Sequence, residues 1–245
     1  MHTQVQEVLV RAPRVTLDEI LDRVARGEAR RESLLTDQSF TGSVRLVRLA
    51  DKKKPEEPVL ESAWRIYRKR PDRLRTVLLR RWEAKPPKKG HKGNDFTFDF
   101  DPGMGEEIVN FAFQPGARGE WRYHIVGRDL VGNHLIYKIA FDPRSLLDFA
   151  PSGLVWVDTN EFVIVREEVS FSRSPIPLLL ESIPRMVVER QQIGSNWVLA
   201  RVMIRMRMVT TFPTVGRAFD LSIHYDDYHL NEGLSDSLFV AGSRR

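Results

Sequence analysis

The sequence predicts an α+β fold, mainly antiparallel β, with about a dozen strands in one curled sheet and a single long helix at the N-terminus. Three observations predict it. A two-residue hydrophobic alternation recurs from Phe40 almost to the C-terminus. A helical spacing of apolar residues occurs clearly only before it. Nowhere do strand and helix alternate as they do in a parallel α/β protein.

The helix comes first. Thr16 is the candidate N-cap, and Glu19 three residues later completes a capping-box pattern. Leu17, Ile20, Leu21 and Val24 follow on one stripe, and the helix is expected to reach about Leu35, with Gly27 weakening its middle. The strands Phe40–Leu49, Val59–Lys69 and Arg73–Glu83 come next, separated by "ADKKKPEEP" and by a turn at Pro71 and Asp72. Residues 84–95, "AKPPKKGHKGND", form a basic loop, expected to be flexible. "DFTFDF", "EEIVNFAF" and "EWRYHIV" are further strand candidates. Gly132-Asn133 marks a tight hairpin before "HLIYKIAF", and "DPRSLLDFAPS" reads as a turn with one helical turn. "GLVWVDTNEFVIVREEV" is a hairpin whose Asp158, Thr159 and Asn160 are turn formers. Residues 172–184, with three prolines, read as a loop carrying a short helix. "RMVVERQQI" and "WVLARVMIRMRMVTTF" form another hairpin around "GSN". "RAFDLSIHYDDYHL" closes the sheet, and "NEGLSDSLF" is a polar turn ending in an apolar anchor.

The alternation assigns faces. Val198, Ala200, Val202, Ile204, Met206 and Met208 share one parity, and Arg201, Arg205 and Arg207 the other. Trp64 and Ile66 oppose Arg65. Leu74, Leu78 and Trp82 share a parity, as do Leu135, Tyr137, Ile139 and Phe141. Phe219, Leu221, Ile223 and Tyr225 do so in the last strand. A wide apolar face with little helix to cover it is either a filled core or the wall of an apolar cavity. Methionines there suit a cavity that adapts to its contents. Pattern alone leaves both readings open, with the filled core the commoner outcome.

Composition sets the bounds. A chain of 245 residues can bury roughly 70–75% of its extended-chain surface, so it needs no staples. No linker interrupts it, which favours a single domain over 1–245 with its core at about 15–239. The absence of cysteine excludes disulfides, thiolate metal sites, cysteine nucleophiles and an N-terminal lipobox. No apolar run is long enough for a spanning helix, and "MHTQVQEVLV" is not a signal peptide, so any native signal is expected to have been cut away. The charge of +5 is spread over many segments and interleaved with 33 acids. With no recognised motif, that argues against nucleic acid, whose binding would fall steeply with salt.

Catalytic and metal motifs are weak. In "HYDDYH", strand parity puts His224, Asp226 and Tyr228 on one face and Asp227 and His229 on the other, a poor arrangement for one metal. "DFDPGMGEE" lacks the ligand spacing of a calcium loop, and "GMGEEI" lacks the third glycine and the βαβ setting of a dinucleotide site. No serine-hydrolase elbow or zinc-protease motif occurs. No nearby histidine or second carboxylate at catalytic spacing supports chemistry at Asp158. No enzyme, cofactor or metal is expected.

Five stretches in order carry a family resemblance: "VTLDEILDRV", "WRIYRKRPDRLR" with Pro71 and Arg75 as a P-x-x-x-R step, "GRDLVGNHLIYKIAFDP", "GLVWVDTNEFVIVREEV" and "YDDYHLNEGLSDSLF". Together, from about Val15 to Phe239, the chain resembles the LolA/LolB-like proteins, bacterial outer-membrane lipoprotein-sorting proteins. The resemblance implies an open half β-barrel of about 11–12 strands wrapped over an N-terminal helix and a short second helix. It implies a non-catalytic periplasmic carrier, without cofactor, whose apolar space holds lipid or lipoprotein acyl chains. A delivery partner at the inner or outer membrane is implied as well, and basic loops could meet anionic head groups. The family's lid-closing arginine has no identifiable counterpart among this chain's many. The expected cavity residues are Leu17, Ile20, Leu21, Val24, Trp64, Ile66, Leu74, Leu78, Val202, Ile204, Met206, Met208, Leu221 and Ile223. The rival expectation is an envelope protein-interaction or sensing module on the same fold, with a small or closed cavity. Cargo and oligomeric state are not legible.

Overall fold

The computed structural model describes residues 15–51, 55–84, 111–131, 134–145, 150–171, 180–209 and 218–240. Helix α1 spans Leu17–Leu34, capped as expected by Thr16, whose Oγ1 accepts the Glu19 N–H at 3.3 Å. Its buried residues, Ile20, Leu21, Val24, Gly27, Glu28 and Arg31, continue one stripe from apolar into charged. Gly27 has a specific reason to be there. A Cβ at this position would collide with the carbonyl oxygens of Glu161 and Phe162, so the helix rests directly on that backbone.

Ten antiparallel strands follow among the described residues: β1 (Asp37–Arg48), β2 (Glu57–Lys69), β3 (Arg73–Glu83), β4 (Trp121–Val131), β5 (His134–Pro143), β6 (Ser152–Asp158), β7 (Val163–Phe171), β8 (Leu180–Ile193), β9 (Asn196–Met208) and β10 (Ala218–Leu230). They form one curved sheet in the order β3-β2-β1-β10-β9-β8-β7-β6-β5-β4. The chain runs outward from β1 to the β3 edge. It resumes at the opposite edge with β4 and returns strand by strand until β10 pairs with β1. A terminal helix α2 (Ser237–Val240) packs against β3.

Several expectations change. The end of "EEIVNFAF" is not strand: Phe111–Phe113 is a 3-10 turn, followed by a second at Pro115–Glu120. The Tyr123 hydroxyl donates to the Ala112 carbonyl, and burial pushes that phenol up to about 12, so it remains a donor. Residues 180–184, expected in a loop with a short helix, begin β8 and include Pro184. The irregular pairing between Ser182 and Arg185 lets the sheet tolerate a residue without an N–H. Among the described residues the second α-helix is the one at Ser237–Val240. The basic loop beyond residue 84, "DFTFDF", "DFDPGMGEE" and residues 172–179 lie outside the described residues.

β-Bulges override simple parity at four places that matter. The pairs Trp64–Leu78 and Ala63–Arg80 leave Leu79 as an extra residue, so Trp82 sits opposite Glu61 rather than on the face of Leu74 and Leu78. Ala200 is extra in β9, so Leu199, not Val198, joins the core with Val202. Val165 is extra in β7, which places Glu167 opposite Val155 and Val188 on the inner face, fully buried. In β10 the bulge at Asp227, with φ of 52°, turns Tyr228 inward to stack on Phe40 at 4.9 Å. That same bulge puts His224 and His229 on one face, correcting the reading that they point apart. No cluster of three metal-binding side chains forms among the described residues.

Asn231 closes the fold behind β10. At φ of 57°, its side chain accepts from the Thr36 N–H at 2.8 Å and the Thr36 hydroxyl at 2.9 Å. It also donates to the Leu34 carbonyl at 2.8 Å. One side chain therefore caps the end of α1 and fixes the start of β1.

Candidate functional site

The inner face of the sheet is a broad apolar surface, interrupted at β7 and β8 by Glu167 and Arg190. Phe40, Val44 and Leu46 of β1, Leu60 and Ile66 of β2, Ile139 and Phe141 of β5, Val155 and Val157 of β6, Val202, Met206 and Met208 of β9, and Phe219, Leu221, Ile223 and Tyr225 of β10 are all buried in a single cluster. Phe111, Phe113 and Trp121 pack around Phe141 with ring centroids 5.5–5.9 Å apart, a dense aromatic corner near the β4 edge.

Of the expected cavity residues, Ile20, Leu21, Val24, Ile66, Val202, Met206, Met208, Leu221 and Ile223 belong to this cluster, and Leu17, Trp64 and Ile204 pack against it. The structure therefore brings these twelve together. Leu74 and Leu78 do not join them: both are 44% exposed on the edge strand. Their face still continues inward, because Leu78 pairs with Trp64, and Trp64 pairs with Gly42 in β1.

Helix α1 packs on β7, β4 and β9. Its attachment is polar at one end. The Glu28 carboxylate accepts from Arg190 of β8 at 2.7 Å, from Arg31 at 3.1 Å and from the Ile164 N–H at 2.8 Å, while Arg190 also donates to the Ile164 carbonyl at 2.8 Å. Side-chain exposures of 1–5% make this a buried Arg–Glu–Arg triad. Burial would raise the Glu28 carboxyl. The charges of Arg190 and Arg31 and its hydrogen bonds outweigh that and hold it below its ordinary value. Arg30 adds a bond to the Glu161 carbonyl, and Arg23 lies over the Phe162 ring. Strand periodicity could not pair residues 162 positions apart. The helical stripe did contain the clue, since it runs on from Val24 to Glu28 and Arg31.

The turn under α1 also revises the reading of Asp158. Its Oδ1 accepts from the Asn160 and Glu161 N–H groups at 2.9 and 3.1 Å, the expected turn-forming role. A histidine does stand beside it: His134 Nδ1 lies 2.5 Å from Asp158 Oδ2. The antiparallel pairing of β5 with β6 brings it there from 24 residues away. The pair ties two hairpin ends together.

The outer face is charged. Arg166, Glu168, Arg185, Glu189 and Arg201 form a cross-strand ladder, joined by Arg205–Asp220 at 2.6 Å. A shallow concavity of about 200 Å³ opens among Arg185, Val187, Met203, Ile204, Arg205, Asp220, Leu221 and Ser222, two of which, Ile204 and Leu221, are expected cavity residues.

No family model matches the sequence, and no curated protein sequence does. Solved structures do match. A DUF1329 family protein from Desulfovibrio piger is similar over 91% of this chain and 96% of its own, at 12% identity and a TM-score of 0.50. LolA superfamily protein NE2245 from Nitrosomonas europaea is similar over 92% of this chain and 97% of its own, at 11% identity and a TM-score of 0.41. The likeness is one of fold. The chain resembles the LolA/LolB-like proteins in its ordered sequence stretches.

Proposed function

We propose that this protein is a non-catalytic periplasmic carrier, a single domain over about 15–239, that binds lipid or lipoprotein acyl chains between the curved sheet and α1. The observation that carries the reading is the broad, mainly apolar inner face. It runs from the aromatic corner near β4, under α1, to exposed leucines on β3. Such a surface gains roughly 0.8 kcal/mol per buried CH₂ of cargo. The fold likeness supports this reading. The cargo contacts proposed are the fourteen residues from Leu17 to Ile223 named above, with Leu74 and Leu78 at the entrance. In this reading the sheet acts as a half-barrel whose open side is widened by movement of α1. Release then requires a competing partner at the membrane.

Native mass spectrometry of the gently purified protein tests the proposal. Adducts with the masses of lipids or lipid-modified peptides, lost after delipidation and regained on adding lipid, are the expected result. A protein that stays free of adducts and takes up no added lipid would be no carrier.

A further inference from the structure

We propose that the β3 end of the sheet is a docking surface for an anionic phospholipid bilayer. Four large apolar side chains stand exposed there on one edge strand: Leu74 and Leu78 at 44%, Leu79 at 57% and Trp82 at 49%. The bulge at Leu79 presents them in more than one direction, with Trp82 opposite Glu61 and Leu78 opposite Trp64. Large apolar side chains gathered exposed on both faces of one edge strand mark an interaction site.

Charge identifies the occupant. Residues 65–83 carry eight basic side chains against two acids. Neighbouring acids cancel part of this charge: Asp236 is shared by Lys69 and Arg73, and Asp227, Glu32 and Glu83 pair with Arg65, Arg70 and Arg81, so that with Asp72 five acids face the eight bases and the surface stays basic. The opposite edge is the internal comparison. There Val126, Leu130 and Val131 are also exposed, at 51–73%, but β4 holds only Arg122 and Arg128 against Asp129 and exposes no tryptophan. Apolar exposure at both edges with a basic surround at one points to an interface between hydrocarbon and anionic head groups. Leucine and tryptophan enter the boundary while arginines meet phosphate. The surface lies beside the proposed cargo entrance, but the inference rests on exposure and charge and does not depend on cargo binding.

The test is vesicle co-sedimentation of the full chain, using phosphatidylcholine alone and phosphatidylcholine mixed with phosphatidylglycerol. Binding to the mixed vesicles only is expected, weakening with salt. Arg80→Ser should weaken it about fivefold. The double variant Leu79→Ser/Trp82→Ser should weaken it by about tenfold or more, and Leu130→Ser on the other edge should leave it unchanged. Unchanged far-ultraviolet circular dichroism and a retained cooperative thermal transition confirm that each variant is folded. Equal binding to both vesicle types, no binding to either, or equal loss with Leu130→Ser would overturn the proposal. So would a wild-type dimer that Trp82→Ser makes monomeric, because a second copy of the chain would then cover the edge. Because no lipid adduct is measured, failure here is separate from failure of the carrier reading.

Discussion

Two ends in this molecule are finished in opposite ways. At the C-terminal end of α1, over the central strands β7 and β8, a charged triad and a glycine contact lock the helix to the sheet, and the His134–Asp158 pair holds the turn beneath it. At the β3 end of the sheet the inner-face residues Leu74 and Leu78 remain exposed, and Arg75 donates to the Leu238 carbonyl of the short helix α2. The far edge, β4, exposes Val126, Leu130 and Val131 as well. The locked end anchors a cover on the middle of the sheet, and the open end leaves apolar surface reachable.

The largest effect is expected from breaking the lock. Arg190→Met removes the partner that joins Glu28 to β8, and breaking a buried ion pair costs about 3–5 kcal/mol. For a chain of this size the thermal midpoint should fall on the order of 10 °C, measured by circular dichroism. The pH dependence has a defined sign. The Glu28 carboxyl is held below its usual 4.5, so its ion pairs add stability that is fully present above that value. That stability is lost as pH falls through the lower folded-state value. Glu28→Gln should be much less stable than wild type near neutrality, and the gap should narrow as pH drops below 4.5. A gap that is constant with pH would mean the triad holds by packing and not by charge.

Gly27 comes next. In an unobstructed helix, glycine to alanine stabilises by about 1 kcal/mol. Here the new methyl meets the carbonyls of Glu161 and Phe162, so Gly27→Ala should instead destabilise by about 1–3 kcal/mol. Chemical denaturation decides the sign. A stabilised variant would show that α1 can shift away from the turn at little cost, which would loosen the locked end.

How much of this was legible in sequence depended on whether the signal was local. The Thr16 cap, the boundaries of β3 and the buried face of β10 follow from adjacent residues, and the structure has them as expected, while on β5 the expected face is buried at Tyr137, Ile139 and Phe141 but exposed at Leu135. Trp82, Tyr228 and Val198 fall on unexpected faces because bulges insert one residue and reverse all later parity, and nothing in an alternation announces where that happens. The triad and the His134–Asp158 pair are made by topology, between strands whose adjacency no spacing encodes.

The smallest stability effect should carry the most functional information. Leu74 and Leu78 are nearly half exposed, so the double variant Leu74→Ser/Leu78→Ser should change stability by only about 0.5 kcal/mol per site. Ile66, on the same face but fully buried, should cost about 2–5 kcal/mol when changed to Ala. If the open end is an entrance, the leucine variant keeps its thermal midpoint while its uptake of added lipid falls, read as adduct intensity in native mass spectrometry. Retained uptake would leave these leucines with no part in loading. A large drop in midpoint would show that the β3 end is core after all, and the contrast between the two ends would disappear. The measurement separates burial that folds the protein from apolar surface left over after folding. Only the second can be offered to a ligand.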